Sequence, residues 1–178
     1  MPNIFVISDT WFNRLLVNEP NANVVETNEH IVKNWNETVS KEDKVYILGG
    51  LGIGDLYHIL IAMHGEIHIL NNIFNEDEKM YLQEMKEAIA KSSDPSIANK
   101  FVFEDNQILV LNELDSVLSY YPIEEWPGKS SGTYCFHGFN ESMNINDRNI
   151  ACCSLMWDGK PVNIKEVQKN IDTFNNRI

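Results

Sequence analysis

The run Lys44-Val45-Tyr46-Ile47-Leu48, followed at once by Gly49-Gly50-Leu51-Gly52, constrains this chain more than any other stretch. Four consecutive apolar residues from Val45 to Leu48, three of them β-branched or aromatic, read as a buried strand, and the glycines behind them as a tight loop. In open α/β sheets ligands gather where such strands end, because the loops there converge above the sheet edge. This loop is therefore where chemistry is expected. Yet Gly49 to Gly52 holds no carboxylate, histidine, cysteine, lysine or serine.

The neighbouring segments build outward from that strand. Ile4 to Ser8 is a second near-continuous apolar run, ending at Asp9-Thr10-Trp11-Phe12-Asn13-Arg14. Between Glu26 and Val39 the residues Ile31, Val32, Trp35 and Val39 keep helical spacing. Asp55 to His64 reads as a helix closed by Gly65, Glu66 to Leu70 as a strand, and Glu76 to Lys91 as a helix with an acidic start that suits its dipole. The pattern then changes. Phe101–Glu104 and Gln107–Leu111 flank Asp105-Asn106 as an expected hairpin. Short strands follow at Val117–Tyr121, Gly132–Phe136 and Asn149–Leu155, then a turn at Asp158-Gly159 and a last helix to Phe174. Strands alternate with helices early and with one another late, which predicts an α/β (α+β) protein of two packed mixed sheets flanked by helices. At 178 residues, the expectation is one domain over positions 1–178.

Charge narrows the partners. With 26 acidic and 14 basic residues the net charge is −12, a field that repels phosphate backbones and argues against nucleic acid. An acidic decoy for a nucleic-acid-binding protein would need its carboxylates gathered on one face; solubility asks nothing further and is the reading adopted. No apolar run approaches the ~20 residues of a bilayer span, and Met1-Pro2-Asn3-Ile4 has no basic flank, so a cytoplasmic protein without membrane contact is expected. Cys135, Cys152 and Cys153 lack the spacing of a zinc or redox motif and read as buried thiols.

Taken together the loops resemble those of small bacterial and phage metallophosphoesterases of the calcineurin-like superfamily. The resemblance rests on Ser8-Asp9-Thr10, Asn34-Trp35-Asn36, Tyr46-Ile47-Leu48-Gly49, His64 to Leu70, Tyr121-Pro122, His137-Gly138, Ile145 to Ile150 and Lys160-Pro161-Val162, in that order. It implies a β-sandwich with outer helices and a two-metal site at the strand ends, built from carboxylate, imidazole and amide donors.

Position by position, the implied donors are mostly replaced. Asp9 matches the first motif, but its histidine position is Trp11, and the bridging aspartate position is Gly50. Asn72 matches the third motif, while Ile73 and Phe74 stand where a histidine and an aspartate are expected. Tyr120 replaces the fourth-motif histidine, beside Tyr121. In the fifth motif Phe139 and Asn140 follow Gly138, and only Glu141 can ligate. His137 corresponds to a residue just ahead of those ligands and reads as structural. Arg14 falls near a Gly-His position and is a candidate contact for an anionic partner.

The resemblance thus implies a pseudoenzyme, with Trp11, Phe74, Tyr120, Tyr121 and Phe139 either offering an aromatic surface or pocket for a protein or a small phosphorylated, nucleotide-like ligand, or plugging a collapsed site that takes no ligand. A phage-encoded modulator of a host factor fits the size and acidity by association alone. No cofactor is expected. The alternative is a weak metal-dependent phosphoesterase using one divalent metal on Asp9, Asn72 and Glu141. Each survivor also has an ordinary role: Asp9 as acceptor of local hydrogen bonds, Asn72 as holder of its own turn, Glu141 as a solvated carboxylate.

Overall fold

Apolar runs without alternation need cover on both faces, and the first strands have it. In the computed structural model, which describes residues 2–14, 23–72, 76–138 and 148–175, Ile4–Ile7 (β1), Lys44–Ile47 (β2) and Glu66–Ile69 (β3) lie parallel in register. Phe5, Ile7, Val45, Ile47, Ile67 and Ile69 face outward onto helices Val24–Thr38 (α1), Leu56–Ile61 (α2) and Glu76–Lys91 (α3). Val6, Tyr46, Leu48 and Leu70 face the opposite way, into a second core between two sheets. Continuous hydrophobicity is what two buried faces require.

The Asn34-Trp35-Asn36 run fastens α1 to the rest. Trp35 is fully buried and its indole N–H donates to His64 O at 2.9 Å, while Asn36 donates to Ala62 O and accepts from His64 N. Asn34 donates to Asp158 O at 2.6 Å, tying the helix to the late Asp158-Gly159 turn.

Phe101–Phe103 (β4) and Ile108–Leu111 (β5) are not a hairpin, against expectation. β4 pairs parallel with β3, whereas β5 pairs antiparallel with Ser116–Ser119 (β6) in the other sheet. The Asp105-Asn106 link changes sheets instead of reversing within one. Its carbonyls are taken by the loop after β3: Asn71 N donates to Asn106 O, and the Asn71 and Asn72 amides donate to Asp105 O and Gln107 O. Two asparagines distant in sequence decide the outcome that a local turn signal suggested otherwise.

Beyond β6, Tyr134–His137 (β7) and Asn149–Ala151 (β8) add in parallel, and Val162–Asn163 (β9) returns antiparallel to β1. Among the described residues the sheet orders are β4-β3-β2-β1-β9 and β5-β6-β7-β8, so both sheets are mixed. A short helix, Pro95–Ala98 (α4), capped by Asp94, and the strand β9 were not legible as elements. The last helix, Ile164–Asn175 (α5), lays Ile164 and Ile171 into the core between the sheets. Two packed mixed sheets with flanking helices are thus observed. Among the described residues no helix is long and apolar enough to cross a membrane.

Candidate functional site

The loops after β1 and β2 zip together beyond the ends of their strands. Asp9 N donates to Gly49 O, Trp11 N to Gly50 O and Phe12 N to Leu51 O, at 2.9, 2.9 and 3.0 Å. This is possible because Asp9, Trp11 and Asn13 alternate into the left-handed region, with φ of 55°, 44° and 61°. For a residue as bulky as tryptophan that conformation costs on the order of 1–3 kcal/mol and persists only when the surroundings over-determine it. The loop after β8 closes the same floor: Ser8 N donates to Cys152 O, and Ser154 donates through N to Ser8 O and through Oγ to Asp9 O.

Asp9 lies at the centre and is almost wholly buried. Tyr120, just past the end of β6, donates its hydroxyl to Asp9 Oδ1 at 2.6 Å, and Ser8 Oγ donates to Oδ2 at 2.8 Å. The Cys153 thiol also interacts with this carboxylate. Burial nevertheless pushes the Asp9 carboxyl above its ordinary value of 3.8, outweighing the Tyr120, Ser8 and Cys153 donors, with Glu78 adding repulsion. The same burial raises the Tyr120 hydroxyl and the Cys153 thiol, each also disfavoured as an anion beside Asp9.

A folded state that holds the Asp9 proton more tightly than the unfolded chain loses stability as pH rises from the ordinary aspartate range through the raised value. Asp9→Asn removes that loss while keeping an acceptor for Tyr120. Its stability relative to the wild type should therefore improve in urea melts as pH rises above the ordinary aspartate range. A difference that is flat, or that worsens with pH, would show the ionised carboxylate to be the favoured form.

Gly50, at the position where the resemblance implies a bridging aspartate, is closely packed. Its φ is +66°, and a Cβ on it would lie 2.6 Å from Asp9 Oδ1 and 2.9 Å from Asp9 Cα. The space a bridging side chain would need is filled by Asp9 itself. Sequence reasoning missed Glu78, which approaches the loop from α3. It is buried and accepts from Leu51 N at 2.9 Å and more weakly from Gly52 N at 3.4 Å. The signal was present: Glu78 lies on the same buried stripe as Leu82, Met85 and Ile89, a carboxylate on the apolar side of an amphipathic helix.

The remaining candidates fall into three groups. Asn72 donates to Leu48 O at 2.8 Å and to Gln107 O, so its amide nitrogen fastens its loop to β2 and to the link between sheets. His137 is buried, with Nδ1 2.9 Å from Gly138 O, and burial lowers its pKa below the usual histidine value. Tyr120 and Tyr121 meet edge-on at 5.0 Å, with Tyr121 exposed, and the Arg14 guanidinium stands 5.5 Å from the Trp11 ring centre. Ile73, Phe74, Phe139 and Glu141 lie outside the described residues.

The described residues do not fit a pair of metal ions. Among them no three histidine, cysteine, aspartate or glutamate side chains converge on a common point. The one matching carboxylate, Asp9, has a protein donor on each oxygen, and the bridging position has no room for a side chain. What the arrangement does well is hold two buried carboxylates, Asp9 and Glu78, against backbone and hydroxyl donors.

No protein-family model matches the chain. A 55-residue stretch is 46% identical to an uncharacterized protein of Methanocaldococcus jannaschii. That match covers 29% of this chain and 31% of the archaeal protein, so it spans about a third of the relative's length. A solved structure of a protein of unknown function from Aquifex aeolicus shares the fold, with a TM-score of 0.62 at 18% identity, over 96% of this chain and 100% of the other.

Proposed function

We propose that this chain is a metallophosphoesterase-like protein in which packing and protein hydrogen bonds have replaced a metal centre, and that it works by binding a partner instead of by hydrolysis. One observation carries the reading: the buried Asp9 carboxylate is held by Tyr120 and Ser8, with Gly50 closed against it. A phenol that donates to a carboxylate at 2.6 Å takes up one of the lone pairs a metal would otherwise share, which supports a protein-held carboxylate. Two facing mixed sheets with helices outside and loops meeting at the strand ends suit the same lineage.

The exposed Tyr121 ring and the Arg14–Trp11 pair give this end of the sandwich contact groups suited to a protein or a stacked, anionic ligand. The test is hydrolysis of bis-p-nitrophenyl phosphate with Mn²⁺, Zn²⁺ or Mg²⁺ added in turn. No release above the protein-free control is expected. Metal-dependent release that disappears in Asp9→Ala would overturn the proposal and restore an enzyme built on Asp9, Asn72 and Glu141.

A further inference from the structure

Helices α2 and α3 pack against each other on the outer face of the first sheet, yet a cleft of about 320 Å³ stays open between the first turn of α2 and the middle of α3. That volume falls at the small end of the roughly 300–1,000 Å³ of ordinary small-molecule sites. Leu56 and Met85, both buried, reach it from the core side, and the half-buried Tyr57 and Tyr81 bring it one aromatic ring from each helix. Ala88, one turn beyond Met85, lines it with a single methyl group where a larger side chain would fill it.

The polar side of the cleft is Asp55, His58 and Glu84, and no lysine or arginine lines it. Asp55 is committed to its own helix. It caps α2 by accepting from His58 N at 3.2 Å, and its other oxygen lies 2.7 Å from His58 Nδ1. The His58 backbone N–H, with the ring beside it, holds the Asp55 carboxyl below its ordinary value.

Glu84 is different. The residues three and four positions from it on α3 are Met80, Tyr81, Glu87 and Ala88, none of them basic. The lysines of α3 are turned to other groups: Lys79 to Glu76, Lys86 to the Phe103 ring and Lys91 to Glu87. Among the described residues no hydrogen bond or ion pair engages the Glu84 carboxylate. The cleft therefore joins an uncompensated negative charge to two aromatic rings and an apolar base.

That combination selects a ligand class. A small metal ion asks for several oxygen donors around it, which the apolar base does not offer. An anion would meet Glu84 with like charge, and a neutral apolar molecule would leave that charge unused. An ammonium carried on an apolar body uses every wall: an ion pair with Glu84, the faces of tyrosine rings for its charge, and Leu56 and Met85 for its body.

We infer that the cleft between α2 and α3 is a binding site for a small organic ammonium ion. No residue of the Asp9 cluster lines it, so a metal bound at Asp9 would leave this site as it stands. The probe is phenethylammonium, titrated into the isotope-labelled full chain at neutral pH and followed by backbone amide shifts. Phenethyl alcohol is the uncharged twin. Glu84→Gln removes the charge in the cleft, and Glu87→Gln removes one on the same helix that does not line it. Ala88→Phe fills the cavity, and melting temperatures establish that each variant is folded.

Saturable shifts centred on Leu56 to His58 and Tyr81 to Ala88 are expected. The alcohol should bind about tenfold more weakly, a ratio within reach of one exposed ion pair and one cation–π contact acting together. Glu84→Gln should weaken the ammonium about fivefold or more, Glu87→Gln should leave its affinity unchanged, and Ala88→Phe should abolish binding. Absence of saturable shifts, equal affinity for ammonium and alcohol, or wild-type affinity in Ala88→Phe would overturn the inference. So would equal losses in Glu84→Gln and Glu87→Gln, which would trace the binding to the net charge of −12 instead of to the cleft.

Discussion

Gly50→Asp should cost about 3 kcal/mol or more of stability and gain no metal, although it writes back the residue that the resemblance implies. The new side chain would have to accept φ of +66°, and its Cβ would press on Asp9 Oδ1 and Cα. The Oδ1 contact can yield by rotation of Asp9, but the contact with Cα is with backbone and cannot. A second carboxylate beside a buried one adds like-charge repulsion in a site where burial already disfavours ionisation. Gly50→Asn carries nearly the same backbone and space contributions without the charge, so the difference between Gly50→Asp and Gly50→Asn in urea melts reads the charge. A Gly50→Asp protein as stable as the wild type would mean that the two loops can part, and that the closed arrangement is not what holds this end together.

Tyr120→Phe carries the second large effect. It deletes the donor to Asp9 Oδ1 and leaves that oxygen in a buried pocket, a loss of about 1.5–3 kcal/mol for a hydrogen bond to a charged group. The sign with pH follows from Asp9. Tyr120 pulls the Asp9 carboxyl down, so removing it raises the folded-state value further above 3.8. At low pH both proteins hold the proton and differ by one neutral hydrogen bond, ~0.5–1.5 kcal/mol; as pH rises through the raised value the variant loses more. The destabilisation should therefore grow as pH rises through and beyond the raised wild-type value, above the ordinary aspartate range. In Asp9→Asn the same Tyr120→Phe change should cost less and show no such growth. An equal, pH-independent cost in both backgrounds would make Tyr120 a packing residue only.

Much of the scaffold was readable because burial writes itself into composition. Ile4–Ile7 and Val45–Leu48 are apolar throughout since both their faces are covered, and the α3 stripe repeats with helical spacing. The Asp105-Asn106 link was misread because a turn signal is local, whereas Asn71 and Asn72, which hold it between sheets, act from more than thirty positions away. The Asp9 cluster is not legible from spacing. No spacing rule connects Asp9 with Tyr120, 111 positions apart, and nothing in a tryptophan announces a left-handed backbone at Trp11. Glu78 could have been found from its position on the apolar stripe, while the roles of Ser8, Ser154 and Cys153 depend on how three loops meet.

The most direct test of a metal centre replaced by packing is equilibrium titration of the metal-stripped protein with Mn²⁺, Zn²⁺ and Mg²⁺, followed by calorimetry and by melting temperature. The account predicts no saturable heat and no stabilisation that depends on Asp9, so that wild type and Asp9→Ala behave alike towards all three ions. One or two equivalents bound with a matching rise in melting temperature, both lost in Asp9→Ala, would contradict it.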